Sequence, residues 1–296
     1  MSAQIASTTQ SERVVPGVAE AASRVSRTYP GLLASLGLVA LICGGAPALA
    51  ATAPNLLSEN TYGVVSSSYT GNIAATTING GDVCYTGLAG FAPVINGGVV
   101  VGPPCPPVTG TDQLASLFTL NNQPCTPLGV GPLEGISIGG GPAGHFPPGC
   151  YSRAGALDIT ANGIVTLDGA GVYIFKSTGG AVTTGANSSF ILAGGACESD
   201  VYWAPVGATT LGATSTFVGN ILDAAGITIG LNAGLTGRAL AFGGTVTTAA
   251  ATITAPSCAP FMGSRAAIPT LSEWAIGMLA ALLAIVGFAA MRRQVR

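Results

Sequence analysis

Acid–base chemistry needs titratable side chains in groups, and this chain scatters the few it has. Its single histidine, His145, sits in a Gly/Pro-rich loop and reads as a loop residue rather than a base. The carboxylates Asp158, Asp168, Glu198, Asp200 and Asp223 are spread along the sequence. A sugar-cleaving enzyme on a repetitive β fold would need them clustered, with a base close by. No phosphate-cradling glycine loop, HExxH pair or GGxGxD calcium repeat occurs. Glu198-x-Asp200 alone is too little for calcium. The sequence therefore predicts no catalytic residue, no metal site and no cofactor.

Cysteine is the other reactive residue type. Of seven, Cys43 falls in a leader segment; Cys84, Cys105, Cys125, Cys150, Cys197 and Cys258 remain. An even set in an exported chain reads as disulfides, and spacing alone does not choose the pairing. With no CxxC and no histidine at ligand spacing, zinc is not expected. Cys105 and Cys125 bracket a Pro/Gly-rich stretch, and a bridge closing a loop of that size contributes about 3 kcal/mol.

What the chain does repeat is uncharged and rich in threonine: "TTGANSSF", "TLGATSTFVGNIL", "TIGLNAGLTGRAL" and "TVTTAAATIT". Aligned on the turn, Thr183, Thr210, Thr228 and Thr247 share one position, and Thr184, Leu211, Ile229 and Thr248 the next. Gly185, Gly212, Gly230 and Ala249 open the turn; Asn187, Thr214 and Asn232 follow; Phe190, Phe217 and Leu235 come after it. The last two steps are 18 and 19 residues, and the 27-residue step before Thr210 holds an insertion around residues 197–202. A period of that length, with short strands and glycine turns, indicates a β-solenoid whose coils must stack to bury their apolar sides. Side chains alternate along a strand. Val182, Leu211, Ile227, Ile229 and Val246 then point inward with Phe190, Phe217 and Leu235, and Thr183, Thr210, Thr228 and Thr247 form an outward file.

The composition agrees. Of 296 residues 44 are glycine and only 7% are charged, which argues for tightly turned β-structure and against disorder. The net charge of −2 leaves no basic stripe for nucleic acid. One helix is expected near residues 111–122, where Leu114, Leu117 and Phe118 fall at helical spacing and Thr111 or Asp112 serves as cap.

Both ends read as addresses. Arg13, Arg24 and Arg27 precede the apolar run "LLASLGLVALICGG" and the cleavage site Ala48-Leu49-Ala50, so residues 1–50 form a signal peptide and the exported domain spans 51–262. Residues 263–296 hold a linker, the apolar stretch 274–291 and a basic tail with Arg292, Arg293 and Arg296. That stretch is just long enough for a transmembrane helix, which takes about 20 residues, with the arginines on the cytoplasmic side.

Two resemblances follow. "IPTLSEWA", with Pro269, Thr270, Leu271, Ser272, Glu273 and Trp274 ahead of the helix and arginines, resembles the IPTL-CTERM sorting signal of Gram-negative bacteria. This implies a sorting enzyme of the exosortase type and transient anchoring in the inner membrane. Delivery is then to the cell surface, outer envelope or extracellular matrix, beside exopolysaccharide. The run from "PPGCYSRAGALDIT" through "GVYIF", "VYW" and "STFVGNIL" to "TGRALA" and "VTTAAATIT" is similar to the microbial ice-binding protein family. The similarity covers roughly residues 55–258 and implies an irregular β-solenoid with one α-helix packed alongside and a flat threonine face for ice or ordered water. Alternation favours Thr183, Thr210, Thr228 and Thr247 for that face. The family's T-A/G-x-T/N motif favours Thr184, Asn187, Thr214, Asn232 and Thr248 instead. A second function class, a non-catalytic adhesin or matrix protein, would need aromatics on an open face. Its candidates are Tyr151, Tyr173, Tyr202 and Trp203, though "VYIF" and "VYW" read as core strands.

Overall fold

The computed structural model describes residues 51–258. The leader 1–50 and the sorting region, including the stretch 274–291, lie outside the described residues. Among the described residues no helix is long and apolar enough to cross a membrane.

Nineteen short strands pair in parallel and wind into a solenoid with three sheets. The first sheet stacks Leu157–Ile159, Val182–Thr184, Thr209–Leu211 and Ile227–Ile229 onto the last part of the long strand Gly234–Ala249. After a turn, the second sheet stacks Ile164–Asp168, Ser189–Ala193, the start of Thr216–Leu222, the start of Gly234–Ala249 and Thr252–Thr254. The third carries Gly149–Arg153, Tyr173–Ser177, Val201–Ala204 and the remainders of the two longer strands. Parallel strands fit this chain because its coils bury one face of each strand and reach the next coil through a whole turn of the solenoid.

The stack does not follow chain order throughout. The N-terminal strand Tyr62–Asn72 lies against Gly234–Ala249, with Val64 opposite Ala239 and Thr70 opposite Thr247. Thr77–Asn79, Asp82–Cys84, Gly87–Gly90 and Val94–Asn96 complete two further coils beyond it. The first strands of the described residues therefore finish the solenoid.

The interior is apolar. Val182, Phe190, Leu211, Phe217, Ile227, Ile229, Leu235 and Val246 are all buried, as alternation predicts. Aromatic rings form a run through the upper coils: Phe146 packs edge-on to Phe175 at 5.3 Å, Phe175 stacks on Trp203 at 4.4 Å, and Trp203 meets Phe217 at 4.8 Å. Pairs of this kind contribute about 0.5–1.5 kcal/mol beyond the area they bury. Trp203 Nε1 donates to the Val218 carbonyl at 2.9 Å, which satisfies its one polar group.

The helix spans Pro107–Asn121, four residues earlier than expected, and covers the outer side of the third sheet. Proline at its first position has the backbone angle a helix start requires. Neither Thr111 nor Asp112 caps it. Thr111 lies mid-turn, and Asp112 Oδ2 accepts from the Ser58 amide at 3.1 Å and from its hydroxyl. The buried face is small and polar (Thr109, Gly110, Asp112, Gln113, Ser116), with Leu120 the apolar anchor. A Cβ on Gly110 would sit 2.2 Å from the ring of Phe242, so only glycine admits that contact. Leu114 and Phe118, two of the residues at helical spacing, are 69% and 72% exposed. At the far end Lys176 Nζ donates to the carbonyls of Asn121 (2.9 Å) and Gln123 (2.8 Å), placing a cation where the helix dipole is negative.

The cysteines pair as Cys84–Cys105, Cys125–Cys150 and Cys197–Cys258. Cys105 and Cys125 thus do not join each other. Each ties one end of the helix segment to the third sheet, through Cys84 near one end of the stack and Cys150 near the other. The third bridge, helped by Glu198 Oε1 accepting from the Ser257 amide at 2.8 Å, pins the last described residues.

Candidate functional site

On the first sheet each three-residue strand turns one side chain outward, and in the longer strands Ser68 and Thr245 add a second position beside Thr70 and Thr247. Strand pairing sets Asp158, Thr183, Thr210, Thr228, Thr247, Thr70 and Ala89 opposite one another in a single file. The residues on either side of each threonine are inward and buried. This is the file that alternation predicts, extended by Thr70, which sequence reasoning missed because its coil joins the stack out of order. Parallel strands stand about 4.8 Å apart, and the backbone ladder fixes that repeat for the hydroxyls.

Thr184 and Thr248 must be corrected as candidates for an open face. Both are buried, at 3% and 0% exposure. Thr184 Oγ1 accepts from the Gly212 amide at 3.0 Å, and Thr248 Oγ1 shares a hydrogen bond with the Tyr69 hydroxyl at 2.8 Å. They satisfy interior polar groups and present nothing to solvent.

Asn187, Thr214 and Asn232 are exposed, but they belong to the corner between the first and second sheets. Their φ values are 58°, 54° and 54°, the left-handed region, with Asn162 at 60° one coil earlier. Asparagine tolerates that conformation and threonine resists it. The corner stacks tightly: Asn187 N donates to the Ala213 carbonyl at 3.0 Å and Thr214 N to that of Leu231 at 2.8 Å. The Thr214 hydroxyl also bonds the Asn187 side chain. A Cβ on Gly212 would lie 2.5 Å from the backbone of Gly185, which explains the glycines that open each turn.

The second sheet turns two rows outward. Ile164, Ser189, Thr216, Gly234, Thr252 and Thr77 lie in one register. Thr236, Thr254, Asn79 and Asn96 lie in the other; Thr166 and Ile191 stand at its upper end, separated from Thr236 by Val218, which is buried. Alternate residues on a strand are about 6.7 Å apart, so this sheet offers a two-dimensional grid where the first offers a line. The signal for it in the sequence was the alternation in "TIT" and "TIN", too short to stand out from ordinary strand composition.

Charge on these surfaces is confined to one end. Asp158 and Asp168 face outward from the first and second sheets, but on the coil nearest the loop that holds Glu134. Arg238 and Lys176 are buried on the helix side. Arg238 donates to Asn220 Oδ1 (2.8 Å) and to the Asn60 carbonyl (2.8 Å), and burial lowers its pKa. Burial raises the Asp223 carboxyl, against hydrogen bonds from Thr209 and the backbone. Burial also pushes Glu198 upward, but the bonds from Ser257 and Cys258 outweigh it and hold that carboxyl below its ordinary value. Arg238, Lys176, Asp223 and Glu198 are structural, and none of these four faces outward from the two threonine-bearing sheets.

Cys197, Glu198 and Cys258 come close enough to suggest a metal centre, but the two sulfurs are joined in a disulfide and are not available thiolates. Tyr151, Tyr173, Tyr202 and Trp203 are all buried, which removes the aromatic platform that sugar stacking would need.

Residues 64–254 match the family model described as ice-binding-like. The chain belongs to that family. Among ice-binding-like relatives, an ice-binding protein of Nostoc sp. (strain HG1) is 30% identical over 239 residues, covering 76% of this chain and 81% of the relative. An ice-binding protein of Flavobacterium frigoris (strain PS1) is 34% identical over 108 residues; that match spans 36% of this chain and 39% of the relative. Among solved structures, an ice-binding protein from an Antarctic biological consortium superposes with a TM-score of 0.60 at 26% identity, over 72% of this chain and 96% of that one. One from the Antarctic ascomycete Antarctomyces psychrotrophicus gives 0.56 at 26% identity, over 69% of this chain and 98% of that one. Residues 266–293 match the IPTL-CTERM motif, whose candidate residues Pro269 to Trp274, Arg292 and Arg293 lie outside the described residues. The motif marks the chain for export and a cell-surface location.

Proposed function

We propose that this chain binds ice, and that the contact is the two-row threonine surface of the second sheet, flanked by the file Thr183, Thr210, Thr228, Thr247 and Thr70. The observation that carries the reading is an uncharged grid of hydroxyls and methyls held in register by a rigid parallel ladder. A charged side chain keeps its own hydration shell. Threonine offers a hydroxyl to the hydrogen-bond network of a water layer and a methyl that restrains it. A lattice plane repeats in two directions, which favours the grid over a single line. Because the ladder holds every contact in place beforehand, many weak contacts add with little ordering cost. Bound protein then pins the ice front and curves it.

On this reading the protein is non-catalytic and needs no cofactor. Its exported domain begins at Ala51 after removal of residues 1–50, and residues 263–296 serve sorting. The basic tail and the stretch 274–291 support transient inner-membrane anchoring in a Gram-negative cell and processing by an exosortase-type enzyme. Contact with exopolysaccharide would follow from that destination.

The test is thermal hysteresis and ice shaping by the exported protein with its disulfides intact. Two variants go beside it: Thr216→Tyr/Thr252→Tyr on the second sheet and Thr210→Tyr/Thr228→Tyr on the first. Activity falling at least several-fold in the former, with unchanged melting, is expected. A fall only in the latter moves the contact to the single file. No hysteresis, shaping or recrystallisation inhibition in the folded parent removes the ice reading.

A further inference from the structure

The two ends of the solenoid differ. At the first coil the loop between Leu128 and Phe146 folds over the core, and Leu128, Leu133 and Phe146 are buried beneath it. At the last coil nothing among the described residues plays that part. Leu88, Ile95 and Val100 stand opposite Tyr69, Ile78 and Val83, so they occupy inward positions. Tyr69, Ile78 and Val83 are fully buried, whereas Leu88 and Val100 are 46% and 43% exposed. Phe91, Val94 and Val99 are further exposed apolar residues of this coil, Val94 facing outward opposite Thr77 on the edge strand. The core is open at this end.

The backbone there is open as well. Gly87–Gly90 pairs only with Tyr62–Asn72, and Val94–Asn96 only with Thr77–Asn79, among the described residues. Each strand leaves its other edge without a ladder partner. Natural proteins guard such edges with charges, and none is found here: no charged residue occurs from Val83 to Thr111. Solenoids generally need a polar terminal coil to stay soluble.

We propose that this end is an interface, and that its occupant is the same end of a second copy of this chain. An uncharged apolar patch meets itself without like-charge repulsion. A strand edge is self-complementary across a twofold axis, where equivalent edges run antiparallel and exchange backbone hydrogen bonds. The capped opposite end stops growth at two copies. Such a dimer covers the open core and satisfies the edge in one step, leaving the threonine sheets on the sides of the stack free.

Sedimentation velocity and light scattering across a wide concentration series test this on the exported chain, beside a Val94→Lys/Val99→Lys variant. Both positions are solvent-facing, so the charges enter the interface and not the core. The expected result is twice the chain mass for the parent and a halving of mass in the variant, with unchanged melting. Amide exchange of residues 87–101 in the parent gives a second reading that needs no variant: it should quicken on dilution. A parent of single mass at every concentration overturns the proposal, as does a dimer that persists in a folded variant. Protection of residues 87–101 that ignores concentration means the chain covers its own end, and overturns it too. A mass that keeps growing beyond two copies removes the capped-end limit. None of these readings involves ice, so the outcome is independent of the proposed function.

Discussion

At Glu59 the chain holds a carboxyl with 0% exposure and no hydrogen-bond partner for either oxygen among the described residues. Burial, reinforced by Asp112 and opposed by Arg238, pushes its pKa from 4.5 up to about 8. The folded state therefore prefers the protonated form. Stability is greatest below the unfolded value, falls as pH rises from about 4.5, and is fully reduced above about 8. The loss should be on the order of 5 kcal/mol. Thermal melts at pH 5 and pH 9 check it: Glu59→Gln should flatten this dependence and raise the melting temperature on the alkaline side. A variant with the parent's pH profile would show that another group carries it. At this scale the sequence was legible where alternation applied and ambiguous where a motif competed with it. Thr183 and Thr184 are neighbours of one type, and only the strand's pleat decides that one meets water while the other bonds Gly212.

The helix shows what periodicity misses. Leu114, Leu117 and Phe118 mark an apolar stripe, yet the side against the sheet is chosen by Gly110 under Phe242, by Ser116 donating to the Asn55 carbonyl at 3.0 Å, and by Gln113 accepting from Phe242 N at 2.8 Å. Small and polar residues let the helix lie close, and no pattern of hydrophobicity records that. Pro106 and Pro107 read as loop, which hid the true start. The pairing of the cysteines was equally illegible, since it depends on which strands end the third sheet. Replacing Cys125 and Cys150 by serine opens a span of 25 residues and should lower stability by about 3 kcal/mol in denaturant unfolding. The same variant should quicken amide exchange in the second half of the helix before the strands respond. Equal loss of protection everywhere would mean the bridge supports the whole stack rather than the helix end.

For the molecule as a whole, the partition of charge decides how the surface behaves in solution. Among the described residues the threonine sheets carry no cation, and their acidic groups, Asp158 and Asp168, sit on the coil at one end of the stack. Adsorption through these sheets should therefore be insensitive to ionic strength once the colligative effect of salt is subtracted, since screening acts only on charges. Hysteresis measured from dilute to about 1 M salt, where the screening length falls to about 3 Å, checks this. A steep decline would point to a charged contact outside the sheets. The solenoid class was legible from the repeats at Thr210, Thr228 and Thr247, because a period and a glycine turn are local. The place of residues 62–100 in the stack was not, because it depends on pairing between segments far apart in the chain.

That pairing has a consequence for biosynthesis. Val64 finds its neighbour in Ala239, and Thr70 in Thr247, so the first strand to leave the membrane needs a partner made near the end of the domain. During export its other edge has near partners in Asp82–Cys84 and Gly87–Gly90, but this edge waits until the coils from Gly149 onward are made. Contacts of such long sequence separation close late and fold slowly. The long strand Gly234–Ala249 becomes the seat for the first, and the domain is complete only when nearly all of it has crossed.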